Sequence, residues 1–145
     1  MKITILDPSI VEEDEIIVKC RFLDEDITLL LNQLKNGSSK MNFHKDNKIV
    51  LVDKKEILFF ESVDDKVFAY TLEDVFETKF KLYEIEQIMP ARFFFRANKA
   101  VIVNLNKIKS LSPAFGGRFE AVLKNGYKVI ISRSYVPKLK ELLGL

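Results

Sequence analysis

Apolar and polar residues alternate with a period of two at residues 16–22, where Ile16, Val18, Cys20 and Phe22 oppose Ile17, Lys19 and Arg21. That period predicts a half-buried strand, with Cys20 as a small core residue on its apolar face. A shorter strand is predicted at residues 2–6, stopped by Asp7 and Pro8. The spacing then changes. Ile27, Leu30, Leu31 and Leu34 recur at helical intervals, after Asp24 or Asp26 as an N-cap and before Gly37 as a stop. Leu29 adds apolar surface beside that stripe. The run Asn36-Gly37-Ser38-Ser39-Lys40 is the best linker signal in the chain, which divides it into an extension, residues 1–40, and a module, residues 41–145.

Beyond the linker the pattern is one of many short strands. Residues 41–45 and 48–52 flank Asp46-Asn47, and residues 57–62 and 66–71 flank Val63-Asp64-Asp65. Residues 75–79 continue the series, and a helix is predicted near residues 82–89, stopped by Pro90. Residues 96–107 read as a mixture of turn and helix, rich in β-branched side chains. Strands return at 108–111, 118–123 and 128–132. Asn125-Gly126 predicts a type I′ hairpin turn between the last two. A helix at 136–143 closes the chain. The expected fold is mainly β with a few short helices (α+β), preceded by a strand–strand–helix extension.

A length of 145 residues fits one domain with a small appendage, large enough to bury a core without disulfide or metal staples. The single cysteine excludes an internal disulfide framework and a multi-cysteine zinc site. No uncharged apolar stretch approaches the roughly 18 residues that a spanning helix needs. The first residues do not read as a secretory signal, so a cytoplasmic protein is expected. The net charge of +2 conceals a segregation. Residues 1–40 carry −3, residues 41–90 carry −4, and residues 91–145 carry +9, with eleven Lys/Arg against two Asp/Glu. So concentrated a basic segment is a candidate footprint for a polyanion; the alternative is a basic surface kept only for solubility, which does not require such segregation.

Enzymatic chemistry finds no support in the same residues. The one histidine, His44, lies in an amphipathic strand near a turn and reads as a solvated surface residue. There is no HExxH, CxxC or calcium-loop motif. Gly116-Gly117 lacks the Lys-Ser/Thr of a phosphate-binding loop and reads as a tight turn between strands. No cofactor and no metal is expected.

From Glu56 onward the chain resembles the LytTR family of bacterial DNA-binding domains. The blocks that carry the resemblance are ILFFES (57–62), DDKVFAYT (64–71), Leu82 with YEIEQIM, FFFRANKAVIVNLNKI (93–108), KNG (124–126) and IISRSYVPKLKELL (130–143). They cover about 90 residues in order, and the likeness is greatest to small stand-alone members without a receiver domain. The resemblance implies a sequence-specific transcription regulator with an elongated, mostly antiparallel β fold, whose inter-strand loops enter successive major grooves. It implies duplex DNA as partner, a homodimer on repeated half-sites, and a small membrane protein as a possible regulator. It also places Arg96-Ala97-Asn98-Lys99, Ser132-Arg133-Ser134 and the loop of Asp64, Asp65 and Lys66 against DNA.

Base edges require paired donors or acceptors, which Arg, Lys and Asn supply. The base-reading candidates are therefore Lys66, Asn98, Lys99, Arg133 and Ser134; the phosphate-contacting candidates are Arg96, Lys107, Arg118 and Lys124. The chain has Asn98-Lys99-Ala100 where the family commonly has His-Arg/Lys-Ser, and Ser134 where a basic residue is frequent. Asn104, in the family's Val-Asn pair, reads as a structural hydrogen-bonding residue. Two alternatives stand beside this reading. One is a protein-interaction module with an incidental basic surface. The other is a single-stranded RNA binder, in which Phe93-Phe94-Phe95 stack on bases rather than fill the core. For single residues, Tyr135 could touch phosphate or pack under the last helix, and Arg133 could instead pair with Glu141.

Overall fold

The apolar runs Ile57 to Phe60 and Val101 to Val103 contain no polar face, so a sheet built from them must be covered on both sides. The computed structural model describes residues 2–6, 15–36 and 40–145, and side chains outside 32–39. The chain divides into two units, Met1–Gly37 and Ser38–Leu145.

The second unit holds, in order, β1 (Lys40–Lys45), β2 (Lys48–Asp53), β3 (Phe59–Val63), β4 (Lys66–Tyr70) and β5 (Val75–Thr78). There follow α1 (Leu82–Ile88), β6 (Phe94–Asn98), β7 (Val101–Asn104), β8 (Ile108–Pro113), β9 (Phe119–Leu123), β10 (Lys128–Ile131) and α2 (Val136–Leu143). Its centre is a five-stranded sheet in the order β5-β4-β3-β7-β6. The hairpin β1-β2 and the three-stranded sheet β10-β9-β8 are separate, and every pairing is antiparallel.

Alternation along the central strands sorts side chains into two cores. Phe60, Phe94 and Ile102 join Met41 and Phe43 of β1 with Leu82, Ile85 and Met89 from the α1 region. Phe59, Phe95, Val101 and Val103 join Ala121, Leu123, Val129 and Ile131 of the smaller sheet with Val136 and Leu139 of α2. Each wholly buried phenylalanine, such as Phe43, Phe59 or Phe60, contributes roughly 1.5–3 kcal/mol by leaving water. Phe59 and Phe60, like Phe94 and Phe95, thus serve opposite cores, which is why neither pair has a polar member. Phe80, which follows β5, joins neither core and is 40% exposed.

The helices stop where local chemistry dictates. Glu84 accepts a hydrogen bond from the Lys81 backbone N–H at 3.0 Å at the start of α1, and Pro90 follows its end. Pro137 lies in the first turn of α2, and Gly144 ends it in the left-handed conformation.

The hairpin turns differ from expectation in an informative way. Asp46-Asn47 and Asp64-Asp65 both hold positive φ at each central residue, as a type I′ turn demands. At Asn125-Gly126 only Gly126 does so, with φ 84°, while its N–H donates to the Leu123 carbonyl at 2.8 Å. That loop is a three-residue turn closed by a left-handed glycine, not type I′. The expected turn-and-helix mixture at 96–107 is instead mostly strand: β6 continues to Asn98, β7 spans Val101–Asn104, and only Leu105–Lys107 makes a short 3-10 turn. The β-branched residues Val101, Ile102 and Val103 favour the pleated, doubly buried setting.

In the first unit, one helix spans Glu25–Asn36, and the Asp24 carboxylate accepts from the Ile27 N–H at 2.9 Å as its N-cap. The strands expected at 2–6 and 16–22 do not form among the described residues; both stretches are exposed and unpaired into any sheet. Their alternation lacks a partner strand, and a lone strand leaves its backbone groups unsatisfied. Cys20 is consequently exposed rather than a core residue. The expected stops Asp7, Pro8 and Gly37, and the side chain of Leu34, lie outside the described residues.

Candidate nucleic-acid interface

A sheet presents side chains beyond itself where its strands turn, and register decides which turns share an end. Val63 pairs with Lys66 across the β3–β4 turn. Glu61 pairs with Val101, and the Ser62 N–H donates to the Ala100 carbonyl at 2.8 Å. The β3–β4 and β6–β7 turns therefore lie at one end of the central sheet. Two bonds bring the exit of β10 to the same place: Ser132 N–H to the Ala97 carbonyl at 2.8 Å, and Asn98 Nδ2 to the Ile130 carbonyl at 2.7 Å. Ile131 pairs with Phe119, so the β8–β9 loop joins them. There Gly117 lies so close to Arg133 that a Cβ on it would meet the arginine Cγ and Cδ at 3.2 Å.

The β6–β7 turn is held by two side chains, Arg96 and Asn98. Pairing skips a residue between Arg96 and Asn98, a bulge that bends the strand and re-aims the side chains at its tip. Arg96 donates from Nε to the Asn98 carbonyl at 2.8 Å and from Nη2 to the Lys99 carbonyl at 2.7 Å, while Nη1 pairs with Glu86 on α1. Asn98 accepts the Ala100 N–H at 2.8 Å on its Oδ1 and uses Nδ2 to reach β10. Both residues are engaged inside the protein. Together they fix the turn from which Lys99 projects into solvent.

Register separates the sequence candidates into groups. Lys66, Lys99, Arg118, Arg133 and Ser134 are exposed around this one end. Lys66, Lys99, Arg118 and Arg133 form no ion pair among the described residues; Glu141 pairs instead with Lys138, at 3.8 Å. Arg96 and Asn98 belong to the scaffold of the same end. Lys107 and Lys124 lie at the opposite end of the strands, where the Lys124 N–H donates to the Lys107 carbonyl at 3.0 Å. Asn104 is 1% exposed, donates to the Ile57 carbonyl at 2.9 Å and accepts from the Asn106 N–H at 3.0 Å, a structural role. Tyr135 packs edge-on against Phe95 with ring centroids 6.3 Å apart. Phe94 and Phe95 are buried, so neither is a stacking platform for bases.

Two residues at this end went unnoticed in the sequence. Glu86 anchors Arg96 from ten residues away, and its place on a short helix carried no sign of that. Phe115 sits on the β8–β9 loop at 94% exposure; the neighbouring Gly116-Gly117 was the only available hint. What this end offers chemically is a group of exposed cations without ion pairs among the described residues, suited to phosphates and guanine edges. No group of three or more metal-ligating side chains occurs among the described residues.

A model of the LytTr DNA-binding domain matches residues 47–144. The chain belongs to the LytTR DNA-binding domain family. Among relatives, the sensory transduction protein LytT of Bacillus cereus is 31% identical over 119 residues, covering 79% of this chain and 48% of that protein. The transcriptional regulatory protein YpdB of Escherichia coli K12 is 29% identical over 106 residues, covering 72% and 43%. The chain thus spans about half the length of the curated relatives it matches. A solved LytTr DNA-binding domain from Bacillus cereus superposes with a TM-score of 0.71 at 28% identity, covering 75% of this chain and all of that one. The mainly β, antiparallel LytTR fold is therefore present, as the sequence motifs implied. Among the described residues of this LytTR protein, no helix is long and apolar enough to cross a membrane.

Proposed function

We propose that this LytTR chain regulates transcription by reading duplex DNA with the turns at one end of its sheets. The observation that carries the proposal is the convergence there of three turns bearing exposed cations that form no ion pair among the described residues, in a module matched to a DNA-binding domain family. Lys66, Lys99, Arg133 and Ser134 face base edges, Arg118 faces phosphate, and Arg96 and Asn98 hold the Lys99 turn in shape. Lys107 and Lys124, at the far end, fall outside this set. A bidentate arginine contact to guanine O6 and N7 is worth roughly 1–3 kcal/mol of discrimination. Inserting turns rather than a recognition helix suits this chain, because its two helices in the module are spent covering the cores.

The module acts as a homodimer on repeated half-sites, and residues 1–40 supply the extra contact between copies. Support for this lies in the exposed apolar side chains of that segment, among them Ile16, Phe22 and Leu29. Such a regulator works in the cytoplasm, where a small membrane protein is its regulatory partner by family resemblance.

Binding measured on duplexes across a salt series tests the reading. The logarithm of affinity should fall linearly with the logarithm of salt, with a slope near −0.9 for each phosphate neutralised. Affinity for single strands of the same sequence should be much lower. A salt-insensitive affinity, or a preference for single strands, rejects the proposal. Deleting residues 1–36 should abolish cooperative occupancy of two half-sites while retaining weak single-site binding.

A further inference from the structure

Burying a phenylalanine side chain stabilises a fold, and Phe115 forgoes that gain at 94% exposure. The loop gives it no route back. The Ala114 N–H donates to the Arg118 carbonyl at 2.8 Å, closing the base of the loop. Gly116 and Gly117 turn the chain with φ of 74° and 77°, so the ring projects from a closed, shaped loop. The nearby core already takes Leu111 and Phe119 from either side of this loop.

The neighbours of Phe115 define what it can meet. Gly117, two residues on, is packed against the aliphatic part of Arg133, and Arg118 follows directly. An exposed aromatic ring on the loop that also carries Arg118 and packs Gly117 against Arg133 suits a polyanion that also presents apolar groups. In a DNA major groove, the apolar group on a base edge is the thymine C5-methyl, which phenylalanine contacts favourably. Wedge insertion between base steps belongs to minor-groove binding and sits poorly with an arginine beside it reading guanine in the major groove.

We propose, building on the duplex-DNA reading above, that Phe115 is a specificity-determining residue that contacts a thymine methyl beside the base pair read by Arg133. The Gly117–Arg133 contact couples the two, so that one loop delivers a polar and an apolar reader to the same stretch of groove. The site thereby favours a thymine flanking the arginine-read guanine.

The test uses the full chain and duplexes enriched from a randomised pool. In the best duplex, each thymine is replaced in turn by uracil, which removes the methyl group and preserves the base pairing. Uracil at one or two positions next to the Arg133-dependent base pair should weaken binding about fourfold, the worth of one buried methyl-sized group. Phe115→Ala should lower affinity for the thymine duplex and erase the thymine–uracil difference, with an unchanged melting temperature. Phe115→Leu should retain part of the difference. A full thymine–uracil difference in Phe115→Ala overturns the inference while leaving DNA binding intact, as does equal loss on every duplex or on single strands. Enrichment of no duplex at all overturns both this inference and the reading on which it rests.

Discussion

Replacing Arg96 by alanine removes three charge-assisted contacts at once: to the Asn98 carbonyl at 2.8 Å, to the Lys99 carbonyl at 2.7 Å, and to Glu86. Hydrogen bonds to charged groups contribute about 1.5–3 kcal/mol when well buried. Here the arginine side chain is 21% exposed and Glu86 is 45% exposed, so water will satisfy part of what is lost. Taking about 1 kcal/mol for each carbonyl contact and up to about 0.5 for the ion pair gives a loss of about 2 kcal/mol. For a unit of this size that lowers the melting temperature by about 10 °C. Loosening of the turn should also degrade what Lys99 presents, lowering specific affinity more than non-specific affinity. The salt slope should stay the same, because no phosphate contact disappears. Arg96→Lys should behave like the alanine variant in specificity, since one ammonium cannot bridge both carbonyls as the guanidinium fork does. Thermal melts and salt-series titrations of wild type and both variants are sufficient. A melting temperature equal to wild type, together with a slope shallower by about one phosphate, would make Arg96 a backbone contact and refute the reasoning.

Asn104→Leu strands the Ile57 carbonyl in the core and removes the acceptor of the part-buried Asn106 N–H; it should cost about 1–3 kcal/mol in urea unfolding, with DNA preference unchanged. Gly117→Ala forces a Cβ to within 3.2 Å of Arg133 at a φ of 77°; it should shift the Arg133-dependent base preference on a variant duplex panel. The hydrogen bond from Lys45 holds the Asp74 carboxyl below its ordinary value of 3.8, so its stabilisation is present above that pH and is lost as pH falls through the lowered value. Asp74→Asn should flatten that part of the acid unfolding curve.

The core was legible because its strands carry no polar face. Phe59-Phe60 and Val101-Ile102-Val103 cannot be half-solvated, and their alternation between two cores follows from a period of two. The Asp64-Asp65 turn was legible as a turn, although its type I′ geometry rests on aspartates tolerating positive φ. Three features were hidden for one reason: each depends on contacts that the folded chain makes and the local pattern does not show. Arg96 looked like a free cation until Glu86 and two turn carbonyls claimed it. Asn98 looked like a free base-reading amide, yet the fold engages it with the Ile130 carbonyl. Lys107 and Lys124 shared the basic segment with Arg133, yet antiparallel pairing carries them to the other end. The segment at 96–107 misled because a bulge and an Asn-Lys tip interrupt an otherwise plain strand pair. Alternation at 16–22 misled in the opposite direction, since pattern alone supplies no neighbouring strand.

In the function proposed above, the end of the module carrying Arg133 reads bases while the far end does not. Affinities of wild type, Arg133→Ala and Lys124→Ala, measured on the enriched duplex and every single-base variant of it, test this most directly. Arg133→Ala should lose about 1–3 kcal/mol of discrimination at one base pair, with its non-specific binding reduced only slightly. Lys124→Ala should keep the wild-type preference at every position. An Arg133→Ala profile identical to wild type, or a preference lost in Lys124→Ala instead, would contradict the assignment of the reading surface.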